Sequence, residues 1–260
     1  MKNRFCILLT ILIVLFLSSM QISVAEDTPY EVGNIILFGS FEQDNDTNNG
    51  PEKIEWIVLD ADLENEKILL LSLYGLECRN YHTSGTYPTW EKCDTRLWLN
   101  DTFYSKAFSD EEKGRIVPTI IKTQNNTKWE ELAKNKHWHY EYMDGGADCE
   151  DNVFLLSLEE AVFYGGYQTF VEARVENDRL KVVPTKYAMS HGANVYRGSG
   201  TAFRLNGVGC GWWWLRSPGI SSFDAAVVEY DGSIRNRGIS THTSLCIRPS
   251  LWLSINSPQP

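Results

Sequence analysis

Residues 212–219 read Trp-Trp-Trp-Leu-Arg-Ser-Pro-Gly, an aromatic run that ends in turn-forming residues. Aromatic side chains favour β-strands, and Pro and Gly end them, so the first five residues predict a strand. A second signal follows at Asp231-Gly232, a favoured two-residue turn between the apolar runs 225–230 and 233–240, which predicts a hairpin. Leu245–Leu253 is predicted as the last strand. The C-terminal third of the chain is therefore expected to be β-sheet.

Further towards the N-terminus, strands come first and short helices follow. Glu31–Phe41 predicts a strand, and the apolar runs 54–59 and 67–73 predict a hairpin. The capping boxes at 109–112 and 157–160 each predict the start of a helix. Two more short helices are predicted over 95–100 and 185–191. This order predicts an α+β fold with a twisted antiparallel sheet and short peripheral helices.

The first 25 residues have the pattern of a signal peptide. Lys2 and Arg4 precede an apolar run, and Ser23-Val24-Ala25 supplies the small residues that a signal peptidase recognises. We therefore expect residues 1–25 to be removed and residues 26–260 to form one secreted or cell-surface domain. The alternative is an uncleaved segment that tethers the chain to a membrane, because Ile22 and Val24 extend the apolar run.

Charge and aromatic content limit the partners. The formal charge of −10 becomes −12 when Lys2 and Arg4 are lost with the leader. An acidic chain without a basic stripe repels phosphate, so neither nucleic acid nor an anionic membrane surface is expected as a partner. The nine Trp and twelve Tyr residues indicate an aromatic-rich core, and they also suit a surface that stacks on sugars or peptides.

Four segments of the chain, in order, carry the pattern of a known family. They comprise residues 32–33, 38–47 (Phe-Gly-Ser-Phe-Glu-Gln-Asp-Asn-Asp-Thr) and 54–59 (Ile-Glu-Trp-Ile-Val-Leu); 89–91 (Thr-Trp-Glu), 96–100 (Arg-Leu-Trp-Leu-Asn), 103 and 107–109; 151–157 (Asp-Asn-Val-Phe-Leu-Leu-Ser) and 160; and 212–219, 231–232 and 247–252 (Ile-Arg-Pro-Ser-Leu-Trp). In these segments the chain resembles the uncharacterised bacterial family DUF6273.

The resemblance implies an exported or surface protein of a bacterium, with no established activity. The closing arrangement, an aromatic strand ending in Arg-Ser, a hairpin and a final strand with Arg-Pro, also resembles the C-type-lectin-like fold of lectins and formylglycine-generating enzymes. The calcium-dependent sugar motifs of those lectins, Glu-Pro-Asn or Gln-Pro-Asp with Trp-Asn-Asp, are absent from this sequence. Sugar binding by that route is therefore not expected.

Calcium is the one cofactor that the sequence suggests. Asp44, Asp46, Asn48 and Glu55 occupy positions one, three, five and twelve of a calcium-loop spacing, and carboxylate oxygens are the ligands that calcium prefers. The alternative is an Asx-rich surface turn, because Asn49 stands where the loop needs Gly. His137-Trp138-His139 is a weaker metal candidate, for which surface histidines are the alternative.

Trp212, Trp214, Arg216 and Arg248 are the candidate ligand-binding residues. Along a strand Trp212 and Trp214 face one side, which is either a second core face or an exposed stacking platform. The two arginines lie near the ends of neighbouring predicted strands. Each either bonds loop carbonyls or a carboxylate such as Asp224, or the two together bind an anion.

Five cysteines remain after removal of the leader, so at least one has no partner within the chain. Export permits disulfides, and the candidate pairs are Cys78 with Cys93, which close a short loop, and Cys210 with Cys246, which flank the C-terminal hairpin. The spacing Cys-x-x-Cys of structural zinc sites does not occur in the sequence.

The motifs of serine hydrolases, zinc proteases and P-loop enzymes are missing, so the leading hypothesis is a non-catalytic module that binds a glycan or a surface protein. Its expected binding face comprises the loops 83–87, 137–144 and 220–223. One alternative is a secreted enzyme, either a glycoside-directed hydrolase or a thiol or copper oxidase that uses Cys210 and Cys246. Another is a structural component of the cell envelope.

Overall fold

The computed structural model describes residues 30–85, 89–127, 141–167 and 176–256. The predicted signal peptide and the His137-Trp138-His139 segment lie outside these residues. Along the described chain, groups of strands are separated by groups of short helices, and the predicted α+β class is confirmed. Antiparallel strands dominate.

Four strands form the first sheet, in the spatial order β1-β2-β3-β13. These strands are β1 (Ile35–Phe41), β2 (Glu52–Asp62), β3 (Lys67–Ser72) and, from the other end of the chain, β13 (Ser250–Ser254). All neighbours in this sheet are antiparallel. The predicted hairpin over 54–73 is confirmed as β2 and β3.

Five strands form the second sheet, in the order β11-β10-β9-β12-β4. They are β4 (Glu77–Asn80), β9 (Trp213–Pro218), β10 (Asp224–Val228), β11 (Ile234–Ser240) and β12 (Ser244–Ile247). The only parallel neighbours in this sheet are β9 and β12. Two small ribbons complete the described strands: β5 (Thr119–Ile121) with β6 (Cys149–Asp151), and β7 (Arg204–Leu205) with β8 (Val208–Gly209).

The helices are short. They are α1 (Asp94–Trp98), a π-helical turn (Leu99–Phe103), α2 (Tyr104–Ala107), α3 (Asp110–Lys113), α4 (Leu158–Tyr164) and α5 (Lys186–Ser190), with 3-10 turns at Trp90–Lys92 and Thr201–Phe203. Both predicted capping boxes are present: Ser109 and Ser157 accept from the backbone N–H groups of Glu112 and Glu160, whose carboxylates return the bond. This reciprocal bonding satisfies backbone donors that the first turn of a helix leaves free.

The core has two parts, one on each face of the five-stranded sheet. Trp214, Ile247 and Trp56 belong to the larger part, which lies between the two main sheets. Trp213 and Cys246 belong to the smaller part, which α4 and α5 cover with Leu158 and Ala188. The alternation of side chains along a strand therefore directs successive tryptophans into two separate cores.

Two details differ from the expectations. The last strand is broken: Arg248 and Pro249 separate β12 from β13, and the two halves join different sheets. Pro249 has no N–H to donate to a sheet, which favours the break at this point. The hairpin between β10 and β11 has three loop residues rather than two, because Glu229 N–H bonds to the Ser233 carbonyl at 2.9 Å. Gly232, at φ +80°, supplies the left-handed residue that such a loop requires.

Candidate functional site

A half-open cleft of about 270 Å³ lies between the end of β1, the loop that follows it, the helical stretch 94–107 and α5. Aromatic rings of Phe41, Trp98 and Tyr187 line it together with polar side chains. The polar groups include the carboxylates of Glu42 and Glu77, the amine of Lys106 and the hydroxyls of Ser40, Thr47 and Thr102. The volume is close to the lower end of the range for small-molecule sites.

The Phe41 ring packs against both of the other rings. Phe41 meets Trp98 edge-to-face with the ring centroids 6.3 Å apart, and it meets Tyr187 in the same way at 5.7 Å. Phe41 ends β1, Trp98 ends α1 and Tyr187 lies on α5, so three separate elements supply the aromatic part of the cleft. Edge-to-face contacts are the geometry that aromatic rings prefer, and they fix these side chains relative to one another.

Glu77 supplies a buried carboxylate to the cleft. Its Oε1 accepts the N–H of Cys78 at 2.8 Å and lies 2.5 Å from His191 Nδ1. The side chain of Glu77 is 7% exposed and that of His191 is 41% exposed. Burial raises the pKa of Tyr187, and the nearby carboxylates of Glu77 and Glu42 raise it further. The phenol therefore stays protonated at neutral pH and can donate a hydrogen bond.

Three carboxylates meet in and beside the loop that borders the cleft. One oxygen of each of Glu42, Asp44 and Glu52 lies within 4.8 Å of the others. These groups also shape the backbone: Glu52 Oε2 accepts the N–H of Gln43 at 2.7 Å, and Glu42 Oε1 accepts the N–H of Asp46 at 3.1 Å. The cluster makes this side of the cleft strongly acidic.

The set predicted to bind calcium is not brought together. The carboxylates of Asp44 and Asp46 close successive Asx turns, accepting the N–H of Asp46 at 2.8 Å and of Asn48 at 3.1 Å. Glu55 lies on β2 opposite Leu37, and its carboxylate contacts the phenol of Tyr74 instead. The spacing resembled that of a calcium loop, but its twelfth residue, Glu55, lies within strand β2 and therefore outside the turn.

The prediction that Trp214 contributes to an exposed stacking platform is wrong. Trp214 is fully buried and donates its Nε1–H to the Arg79 carbonyl at 3.1 Å, while Trp213 donates to the Leu180 carbonyl at 2.9 Å. Trp212 is half-buried and faces the same core as Trp214, as expected. Its ring contacts Tyr230 in a tilted geometry with the centroids 5.5 Å apart. Both faces of the strand are core, the alternative that the sequence left open.

Arg216 and Arg248 do not form an anion-binding pair; each has its own buried partners. Arg216 makes a two-pronged contact with Glu160, at 2.6 and 2.8 Å, and also donates to the Leu155 carbonyl. Its carboxylate partner is thus Glu160 rather than Asp224. Arg248 donates to the Ser72 carbonyl at 2.9 Å, and burial lowers its pKa to about 9. Both guanidiniums satisfy buried carbonyls, which is a structural role.

The family model for a domain of unknown function, DUF6273, matches residues 65–255. The chain belongs to this family. No curated protein matches the chain, and no solved structure does. Within this DUF6273 region lie Glu77, Trp98 and Tyr187 of the cleft, while Phe41 and Glu42 precede it. The first of the four segments that resembled the family also precedes the match.

The cysteines of this DUF6273 member are five buried, free thiols among the described residues: Cys78, Cys93, Cys149, Cys210 and Cys246. The predicted pair Cys78 and Cys93 is separated by the five-stranded sheet, because Cys78 belongs to the smaller core and Cys93 to the larger. Cys246 lies opposite Cys78 on β4 and Trp213 on β9, rather than opposite Cys210. For Cys78 and Cys93, closeness along the sequence was therefore a poor guide to closeness in the fold.

Two of the three loops predicted to form the binding face, 137–144 and 220–223, are hydrogen-bonded to each other where they are described. The Thr241 carbonyl accepts from His82, the Thr241 N–H donates to the Phe223 carbonyl, and Glu141 N–H donates to the Ile220 carbonyl. Tyr142 and Phe223 are exposed on this end of the DUF6273 domain. Residues 86–87 and 137–140 of these loops lie outside the described residues.

The cleft was not predicted from the sequence. Its aromatic residues and carboxylates come from elements far apart along the chain, and none has a spacing that marks a site. In the described ranges, no helix has both the length and the apolar content that a membrane crossing requires.

Proposed function

We propose that this chain is an exported, non-catalytic module that binds a short glycan in the cleft formed by Phe41, Trp98, Tyr187, Glu42 and Glu77. The mixed lining of the cleft is the observation that carries the proposal. A sugar ring has apolar C–H faces, which stack on aromatic rings, and hydroxyl groups, which donate to carboxylates. The cleft offers both kinds of partner at one place.

The size of the cleft favours a glycan over a protein ligand. A volume of about 270 Å³ suits a unit of one or two sugar rings, whereas stable protein interfaces bury much larger surfaces. The acidic loop beside the cleft, with Glu42, Asp44 and Glu52, favours neutral or amino sugars over acidic ones.

A C-type-lectin-like arrangement is part of this proposal. It is supported by the curled antiparallel sheets and by the closure of the first sheet by the last strand, β13, beside β3. Export is supported by the leader pattern of residues 1–25. A segment that stays attached would place the same module on the outer face of a membrane.

The proposal is tested with the mature chain, residues 26–260, on an array of neutral, amino and acidic glycans, followed by calorimetric titration of the best ligand. Glu42→Gln should weaken binding about tenfold, because it removes a charged hydrogen-bond acceptor from the cleft. Glu64→Gln, on the exposed turn between β2 and β3, is the matched control and should bind as the wild type.

Two outcomes contradict the proposal. One is an array without a bound glycan, and the other is equal affinity for both variants. Release of shorter sugars from the bound ligand would identify a glycoside hydrolase instead, with Glu42 and Glu77 as the carboxylates to test.

A further inference from the structure

We propose that Cys78 and Cys246 form a disulfide that joins β4 to β12 across the five-stranded sheet. The two residues are direct partners in the antiparallel register of these strands, between the pairs Arg79 with Leu245 and Glu77 with Ile247. Side chains of directly opposite residues point to the same face of a sheet. Both cysteines accordingly belong to the smaller core, where they are buried.

The hydrogen bonds identify the type of pair. Cys246 N–H donates away from β4, to the Trp212 carbonyl next to β9, at 3.0 Å. Cys78 N–H donates to the carboxylate of its neighbour Glu77 at 2.8 Å. Neither donor bridges the two strands, so this is a non-hydrogen-bonded pair, in which Cα atoms are about 4.5 Å apart. Disulfides accept Cα separations of about 4.4–6.8 Å.

Other pairings of the described cysteines lack this geometry. Cys93 and Cys149 lie in the larger core, on the far side of the sheet from Cys78 and Cys246. They are not cross-strand partners of each other either, because Cys93 caps α1 and Cys149 lies opposite Ile121. The backbone of Cys210 bonds to residues 196 and 203 rather than to β12 or β4. The register therefore selects one pair among the described cysteines.

The reaction is a thiol–disulfide exchange with an oxidised small thiol such as glutathione disulfide. The Cys78 thiolate attacks one sulfur of the oxidant and releases one reduced thiol, which leaves a mixed disulfide on Cys78. The Cys246 thiolate then attacks the Cys78 sulfur and releases the second thiol. The chain loses two electrons and two protons, and the oxidant gains them.

The step belongs to folding rather than to the finished fold. Burial raises the pKa of Cys78 to about 12, with a contribution from the Glu77 carboxylate, and burial raises that of Cys246 as well. Thiolates are the reactive species, so the closed sheet reacts slowly, and the chain reacts fast while β4 and β12 are still solvated.

The experiment refolds the mature chain from denaturant with a mixture of reduced and oxidised glutathione, and then maps the peptides without reduction. We expect one cross-linked peptide that joins Cys78 to Cys246, and a chain lighter by two hydrogen atoms. The oxidised chain should melt roughly 5–15 °C above the reduced chain, because the bond constrains a long loop of the unfolded state.

Serine variants identify the cysteines that form the cross-link. Cys78→Ser should abolish the cross-link, whereas Cys93→Ser and Cys210→Ser should leave it. The cross-link is detected directly in the wild-type chain, so the test holds even if the Cys78→Ser variant fails to fold. A reduced Cys78 or Cys246 after oxidative refolding overturns the proposal, and so does a different cross-link such as Cys210 with Cys246. Glycan binding is a separate measurement, so the two proposals succeed or fail independently.

Discussion

At the scale of single residues, Arg216 and Glu160 show how a buried charge is held. The guanidinium is 3% exposed, and the Glu160 side chain, at 32%, shields it from solvent while also capping α4. Removal of one partner from such a pair leaves a charge without compensation, which is costly inside a protein.

We therefore expect Glu160→Gln to destabilise the chain by about 2–3 kcal/mol, below the usual cost for a fully buried pair because Glu160 is partly exposed. Gln can still fulfil the N3 position of a capping box, so the loss reports the ion pair. Urea denaturation measures it, and Glu111→Gln on the exposed side of α3 is the control, with an effect within about 0.5 kcal/mol. Equal stabilities of the two variants would refute this role of Glu160.

Asp44 gives a residue-scale prediction about pH. The side-chain amide of Asn49 and the backbone N–H of Asp46 stabilise its charged form and lower its pKa below the ordinary 3.8. A carboxyl whose folded-state pKa is lowered adds stability above the unfolded pKa, and that stability is lost as the pH falls through the folded pKa. The relevant window therefore lies below about pH 4.

In Asn49→Ala, the Asp44 pKa should rise towards 3.8, since the largest stabilising contact is missing. A carboxyl-detected NMR titration of both chains between roughly pH 2 and 6 measures the change. Asp62, whose own pKa is lowered by Asn65 on another turn, serves as the internal reference and should not move. A shift of both carboxyls together would show a global effect and would contradict the local cause.

At the scale of elements, the hairpin of β10 and β11 depends on a bulge. The register between the two strands shifts between Ala225 and Val227, and Gly238 in β11 has φ +72°. A Cβ atom at Gly238 would lie 2.2 Å from the Ala225 carbonyl oxygen, whereas one at Gly207, with φ +81°, would meet nothing within 4 Å.

Gly238→Ala should therefore cost about 2 kcal/mol more stability than Gly207→Ala. Both variants carry the left-handed backbone penalty of about 1–2 kcal/mol, and only the first adds a collision with backbone. Thermal melts of the two variants give the comparison. A Gly207→Ala chain that melts at or below the temperature of Gly238→Ala would argue against the bulge as the cause.

The elements that the sequence predicted well have local signals. The starts of α3 and α4 were predictable from their capping boxes, because the hydrogen bonds of a capping box join residues only three apart in the sequence. Strand β4 was missed, since Glu77–Asn80 has no apolar alternation and lies among Gly, Ser and Thr residues. The division of the last strand was missed because it depends on which sheet each half joins, a relation that spans most of the chain.

At the scale of the whole molecule, β13 connects the two ends of the described chain. It pairs with β3 from Ser250 opposite Leu71 to Ser254 opposite Lys67, and it buries Leu251 and Leu253 completely or almost so. Two isolated β-bridges, Leu253 with Ile116 and Ser250 with Phe154, also connect β13 to the middle of the chain.

A chain that ends at Arg248 should lose cooperative unfolding, whereas a chain that ends at Asn256 should keep it. The shorter chain loses the burial of two leucines, about 3–6 kcal/mol, which is comparable with the total stability of a domain. Circular dichroism during heating distinguishes the two. A sharp transition at an unchanged temperature in the shorter chain would contradict the closing role of β13.

The cleft shows the limit of inference from sequence at this scale. The class of fold followed from the order of strands and helices, and the aromatic content predicted a core rich in tryptophan. Phe41, Trp98 and Tyr187 meet only because β1, α1 and α5 assemble on one side of the molecule. No sequence spacing indicates this contact, and the conspicuous tryptophans 212–214 pack in the two cores instead.

The position of β12 has a consequence for how the polypeptide is made. This strand lies between β9 and β4, yet it follows both along the chain and therefore leaves the ribosome after them. The early strand β4 has no sheet neighbour until then, so its backbone groups must stay hydrated while most of the protein is being synthesised. Assembly of the second sheet is thus expected to wait until β12 has been synthesised.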